Sequence, residues 1–142
     1  MANRASMLTL TIALISMLVL GAGCGGSSTE QPVLDGTTWK LTSWAEPDPI
    51  PASVTITAEF ADAGVAGTAG INRYHAAITS STDGSLAVDQ VAATLMAGPA
   101  DVMAAEAAYL KRLQEATSYK VDGNTLVIND ADGQPSLTFT RS

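Results

Sequence analysis

Few side chains in this chain are suited to covalent or acid–base chemistry. His75 is the sole histidine and Cys24 the sole cysteine. A nucleophile–histidine–acid triad would have to be built on His75 with one of the serines and an aspartate, and no Gly-x-Ser-x-Gly turn is present to expose such a serine. In "NRYHAAIT" alternation sets His75 opposite Tyr74 and Ala76, toward solvent. The run "DADG", Asp130 to Gly133, alternates carboxylates as a calcium loop does, but no acid follows at the twelfth position, so a hairpin turn is expected. Glu106 is a candidate functional acid, although an acid in the second turn of a helix is stabilised by the helix's positive end whatever its role. "GVAGTAG", Gly64 to Gly70, has the glycine density of a phosphate loop without the lysine or the following helix, and close approach of strands explains it better. No ligand cluster with metal spacing stands in the sequence, so neither a metal nor another cofactor is expected.

Cys24 has a different context. Arg4 is followed by Met7 to Leu20, an uncharged, mostly apolar run of 14 residues. That is shorter than the roughly 20 residues a membrane span needs, and it has the length of a signal-peptide core. Gly21, Ala22 and Gly23 then lead directly to Cys24, and the arrangement resembles a bacterial lipobox, in which cleavage precedes a cysteine acylated on sulfur. Gly21 departs from the leucine usual at that position. Cys24 is thus the expected lipid attachment site, with ordinary signal-peptide cleavage and a free thiol as the alternative. Two or more acyl chains hold a protein firmly to a membrane. "GGSSTEQP", Gly25 to Pro32, reads as a flexible tether. The expected organisation is a leader over 1–23, a tether over 24–32 and one domain over 33–142, anchored on the outer side of a cell membrane or facing the periplasm.

Without the leader, fourteen acidic residues face six basic ones (Lys40, Arg73, Lys111, Arg112, Lys120, Arg141). Nucleic acid and anionic lipid head groups would need a basic patch and are not expected partners. The acidity suits the solubility of an exported domain.

The elements that must position these residues are mostly strands. "SVTITAEF", Ser53 to Phe60, alternates Val54, Ile56, Ala58 and Phe60 with polar residues. Trp39 and Leu41 do the same in a first strand, and Tyr74, Ala76 and Ile78 in another. Asp62, Ala63 and Gly64 read as a turn, Asp83-Gly84 as a hairpin turn into "SLAVDQ", and two more hairpins centre on Asp122-Gly123-Asn124 and Asp132-Gly133. "GPADVMAAEAAYLKRLQEA" reads as a helix with Pro99 in its first turn. Its expected apolar stripe is Met103, Ala107, Leu110 and Leu113, with Val102 and Tyr109 beside them, and Glu106 on the solvated side. The expected fold is α+β: a curved or barrel-like antiparallel sheet of about seven or eight strands, with one amphipathic helix inserted between the fifth and sixth and packed on the sheet.

"GTAGINRYHAAIT", "TLMAGPADVMAAEAAYLKRL" and "YKVDGNTLVI" in this order resemble the signatures of the META domain, the family of the heat-shock lipoprotein HslJ. The opening "LDGTTWKLTSW" agrees with it. Gly70, Asn72, Tyr74, Thr94, Met96, Glu106, Leu110 and Leu113 fall on the family pattern, their role structural or binding. Ile71 and Gly98 stand where the pattern has two cysteines, which the resemblance implies are paired in relatives and close in space. It also implies a non-enzymatic envelope module that binds a protein or other ligand, or supports the envelope under stress. Two other readings stay open: a protease-inhibitor-like domain presenting the proline-rich loop Glu46 to Pro51, and a small-molecule or lipid carrier enclosing an apolar cavity between helix and sheet.

Overall fold

The computed structural model describes residues 33–45, 47 and 49–142; the expected leader, the tether and Cys24 lie outside the described residues. From Val33 the chain forms β1 (Thr37–Trp44), β2 (Thr57–Ala61), β3 (Gly64–Thr68), β4 (Arg73–Ser80), β5 (Ala87–Val88), β6 (Ala92–Ala93), α1 (Ala100–Gln114), β7 (Ser118–Asp122), β8 (Thr125–Asn129) and β9 (Pro135–Arg141).

All pairings are antiparallel, in the order β5-β4-β3-β2-β1-β9-β8-β7, with β6 paired to β4 beside β5. The two ends of that order meet. Ser85 bridges Ser118, the Leu86 amide donates to the Thr117 carbonyl at 3.0 Å and the Tyr119 amide to the Gly84 carbonyl at 2.7 Å, so the sheet closes into a near-barrel. Closure agrees with the expected curved or barrel-like sheet, and it removes the free edges that β5 and β7 would otherwise leave.

Period-2 patterning decides which side chains fill the interior. Trp39 and Leu41 of β1, Ala58 and Phe60 of β2, Tyr74 and Ala76 of β4, Leu126 and Ile128 of β8, and Leu137 and Phe139 of β9 all point inward, and Tyr109 and Leu113 of α1 join them. Trp39, Phe60, Tyr109 and Phe139 are essentially fully buried. All four belong to one core cluster.

Some expectations are met in detail and others need correction. The glycine-rich stretch is a strand: Gly64–Thr68 is β3, and Gly67 lies so close to β2 that a Cβ there would stand 2.1 Å from the Thr57 carbonyl oxygen. Asp62 and Ala63, at φ 52° and 55°, form the β2–β3 turn, the positive-φ geometry of tight hairpins. Of the expected Ser53–Phe60 strand only Thr57–Phe60 falls in a strand, β2, which runs on to Ala61. With β3 and the short β6 added, the helix falls between the sixth and seventh strands rather than the fifth and sixth. Pro99 caps the helix from outside, at φ −54° and ψ 143°, instead of occupying its first turn.

The helix is also rotated relative to the expected stripe. Val102, Ala105, Glu106, Tyr109 and Leu113 are buried, while Ala107 is exposed and Met103 and Leu110 are half-buried. Spacings of three, one, three and four residues trace a single face at 3.6 residues per turn. Placing Glu106 on that face requires polar partners within the fold, and the strand–loop junctions below supply them.

Candidate functional site

Glu106 reaches from the second turn of α1 to the start of β4. One carboxylate oxygen, Oε2, accepts the backbone amides of Ile71 and Asn72, each at 2.9 Å. The other, Oε1, accepts the Asn72 side-chain amide at 2.6 Å. A buried carboxylate is tolerable when its oxygens receive donors, and here three converge on it.

Asn72 is likewise saturated. Its Nδ2 donates to Glu106 and, at 3.0 Å, to the Met96 carbonyl; its Oδ1 accepts the Thr94 hydroxyl at 2.8 Å and the Met96 amide at 2.7 Å. Two donors and two acceptors are the full capacity of a carboxamide, so this network also fixes which way the amide points. Thr94 in turn accepts the Arg73 amide at 3.1 Å. The segment Thr94 to Met96 is thereby bound to the start of β4 through Asn72.

Gly70 makes the close approach possible. Its φ is 137°, a region side chains rarely adopt, and a Cβ would stand 3.3 Å from both Glu106 Oε2 and Val102 Cγ1. Two residues beyond Asn72, in β4, the Tyr74 hydroxyl bonds that of Tyr109 at 2.6 Å and donates to the Thr57 carbonyl at 2.8 Å. The two rings meet edge to face, with centroids 5.4 Å apart. Burial is the chief cause that pushes both hydroxyls well above the ordinary phenol range, and each stays protonated.

The structure thus brings Gly70, Asn72, Thr94, Met96 and Glu106 into one polar knot, with Tyr74 alongside. Of these, Met96 takes part through its backbone only, and its side chain is exposed. Ile71 and Gly98 also come together: Ile71 Cδ1 lies 1.8 Å from the place a Cβ on residue 98 would take. His75 is exposed on β4, beside a surface depression that Tyr74 and Thr94 also line, and among the described residues no hydrogen bond joins its side chain to the knot. Asp130 Oδ1 accepts the amides of Asp132 and Gln134, which makes the Asp130–Gly133 run a hairpin turn. Among the described residues no three His, Cys, Asp or Glu side chains cluster as metal ligands. Of the proline-rich loop, Glu46 and Asp48 lie outside the described residues, Ile50 packs against the core, and Pro49 and Pro51 border a surface depression of about 450 Å³ next to Asp101, Ala104 and Ala105 of the helix.

One residue of the site was missed in the sequence. Leu95, between Thr94 and Met96, is 97% exposed. The signal was available, since Leu95 sits within Gln90 to Ala100, a stretch without a charged side chain.

A nearly closed antiparallel barrel carrying one helix, tied to the sheet by a buried Glu–Asn pair, defines the class of this domain. The META domain family model matches residues 32–142, and the chain belongs to the META domain family. Among solved structures it is similar to a Burkholderia xenovorans protein determined by NMR, at 24% identity over 77% of this chain and 83% of that one, with a TM-score of 0.65. A DUF4847 family protein from Bacteroides vulgatus shares the fold at 12% identity, over 75% of this chain and 93% of that one, with a TM-score of 0.54. No match was found among curated proteins.

Proposed function

We propose that this chain is a lipid-anchored, extracytoplasmic binding module of the HslJ type, acting in the cell envelope without catalysis. The observation that carries this reading is the state of the family-motif side chains. Glu106 and Asn72 are buried, Asn72 has all its donors and acceptors paired within the fold and Glu106 accepts three donors there, so they hold a loop in place. What they hold, Thr94 to Met96, ends in two exposed apolar side chains, Leu95 and Met96. Exposed apolar side chains on a rigid loop suit recognition of another molecule. The stress role rests on the family resemblance and the anchor on the residues before Cys24.

Fractionation tests the anchor. Wild-type chain should sediment with membranes and show a diacylglyceryl group on Cys24 by mass spectrometry, and Cys24→Ala should be released or stay unprocessed. Unmodified mature protein in the soluble fraction of wild-type cells defeats it. Esterase, protease and phosphatase substrates should give no turnover above background; turnover abolished by His75→Ala would overturn the non-catalytic reading.

A further inference from the structure

The strands β2, β3 and β4 turn one face to solvent. Cross-strand pairing sets Glu59 of β2, Ala66 of β3 and His75 of β4 in one row, and Ala61, Gly64 and Ala77 in the next. On the other side of the first row, Thr68 pairs with Arg73 and its hydroxyl meets that of Thr57 at 3.3 Å. Glu59, Ala66, Arg73, His75 and Ala77 are exposed, and all of these but Arg73 line a depression of about 450 Å³ together with Gly64. The central strand is low, with Gly64 and Ala66 at its crest, while its neighbours carry the long side chains. Charge is divided across it as well. Glu59 and exposed Asp62 stand on the β2 side, Arg73 and His75 on the β4 side, and none of the four has an ion-pair partner among the described residues.

We propose that this face pairs with the same face of a second copy of the chain, about a two-fold axis running along β3. Rotation about that axis lays β2 of each copy over β4 of the other, so the surface is its own complement. Glu59 then faces His75 of the second copy, with Arg73 one row away, and the same contact recurs on the other side of the axis. An imidazole N–H donates to a carboxylate in either charge state of the ring. Ala61 meets Ala77, and Gly64 and Ala66 meet their own counterparts, so two convex barrel walls can approach where bulkier residues on β3 would hold them apart. Lys40 and Asp89 lie one strand further out, at the rim of the contact. A partner of one charge sign would suit one side of β3 and be repelled by the other. A second copy carries both signs at the same register, in exchanged places, and that selects it as the occupant. The contact uses neither Leu95 nor Met96, so the inference goes beyond the binding-module reading and does not depend on the anchor.

Thiol cross-linking of the purified full chain in detergent, in a Cys24→Ala background at low salt, tests it. A bis-maleimide spanning the roughly 10 Å between packed sheets should join Ala66→Cys to its own kind, because residue 66 lies on the axis. It should leave Ala131→Cys, exposed in the turn between β8 and β9, monomeric. Adding Glu59→Arg to Ala66→Cys sets positive charge against His75 and Arg73, and adding Arg73→Glu with His75→Glu sets negative charge against Glu59. Each set alone should cross-link at least about fivefold more slowly. An equimolar mixture of the two should recover most of the parent rate, since each copy then offers the sign that the other lacks. Ala66→Cys reacting no faster than Ala131→Cys overturns the proposal before any charge is changed. Charge variants that cross-link as fast as the parent, or a mixture no faster than its components, overturn it as well.

Discussion

The side chain of Ile71 fills the space that a Cβ on residue 98 would need. Cδ1 lies 1.8 Å and Cγ1 3.2 Å from that point, so the loop before α1 can lie against the start of β4 only with glycine at 98. Gly98→Ala should therefore destabilise by about 1–3 kcal/mol, the usual cost of overpacking. Ile71→Val removes Cδ1 and should recover much of that loss in the double variant, although Ile71→Val alone costs about 0.5–1.5 kcal/mol. Urea unfolding of the four proteins completes the cycle. Strictly additive losses would show that the two residues do not share this space.

The Glu106–Asn72 pair has a direction that substitution can reverse. Glu106→Gln keeps the volume but turns one of its two oxygens into a donor, which then faces either the Asn72 amide or the backbone amides of Ile71 and Asn72. A loss of about 1–3 kcal/mol is expected for the donors left unmatched. Adding Asn72→Asp restores an acceptor opposite the new carboxamide but leaves the Met96 carbonyl without its donor, so recovery should be partial. A Glu106→Gln variant as stable as wild type by thermal melting would remove the knot from the fold's supports.

The strands were legible because their period is short: each inward residue of β1, β4, β8 and β9 is flanked by residues of the opposite face. β3 was not, because Gly64, Ala66 and Gly67 give no contrast between faces. The helix face was misjudged at Glu106, where hydropathy counts a carboxylate as solvated and cannot see the three donors that meet it. Those donors come from residues 34 and 35 positions away, so nothing local to the helix marks the acid as buried. The family motif located the site residues; it was silent on Leu95, whose exposure follows from the fold.

Tyr109 and Tyr74 predict an alkaline limit to stability. Burial raises both hydroxyls above their unfolded value near 10. Below about pH 10 both states are protonated and the contribution is complete; as pH rises beyond it the unfolded chain ionises first and stability falls. Tyr109→Phe should flatten this decline at modest cost at neutral pH, since Tyr74 keeps its bond to the Thr57 carbonyl. Tyr74→Phe should cost more, because it strands both the Tyr109 hydroxyl and that carbonyl. Denaturant midpoints at pH 8 and pH 11 read the difference, and a midpoint independent of pH in the wild type would contradict it.

The contact between residues 71 and 98 also sets up a covalent test. A sulfur in the place of Ile71 Cγ1 would lie 3.2 Å from a Cβ on residue 98. In a disulfide the same two atoms stand roughly 3 Å apart, given an S–S bond of about 2.04 Å. Ile71→Cys removes the Cδ1 that blocks the position, so the double variant Ile71→Cys, Gly98→Cys should oxidise in air, where Gly98→Cys alone should only be strained. The bond would close a loop of about 26 residues, which constrains the unfolded chain by roughly 2–4 kcal/mol less any strain in the folded state. The expected result is a higher melting temperature for the oxidised form than for the same protein in reductant, measured in a Cys24→Ala background so that no third thiol competes. Failure to form the bond under mild oxidant would mean that the start of β4 and the loop before α1 lie further apart than the packing of Ile71 against Gly98 requires.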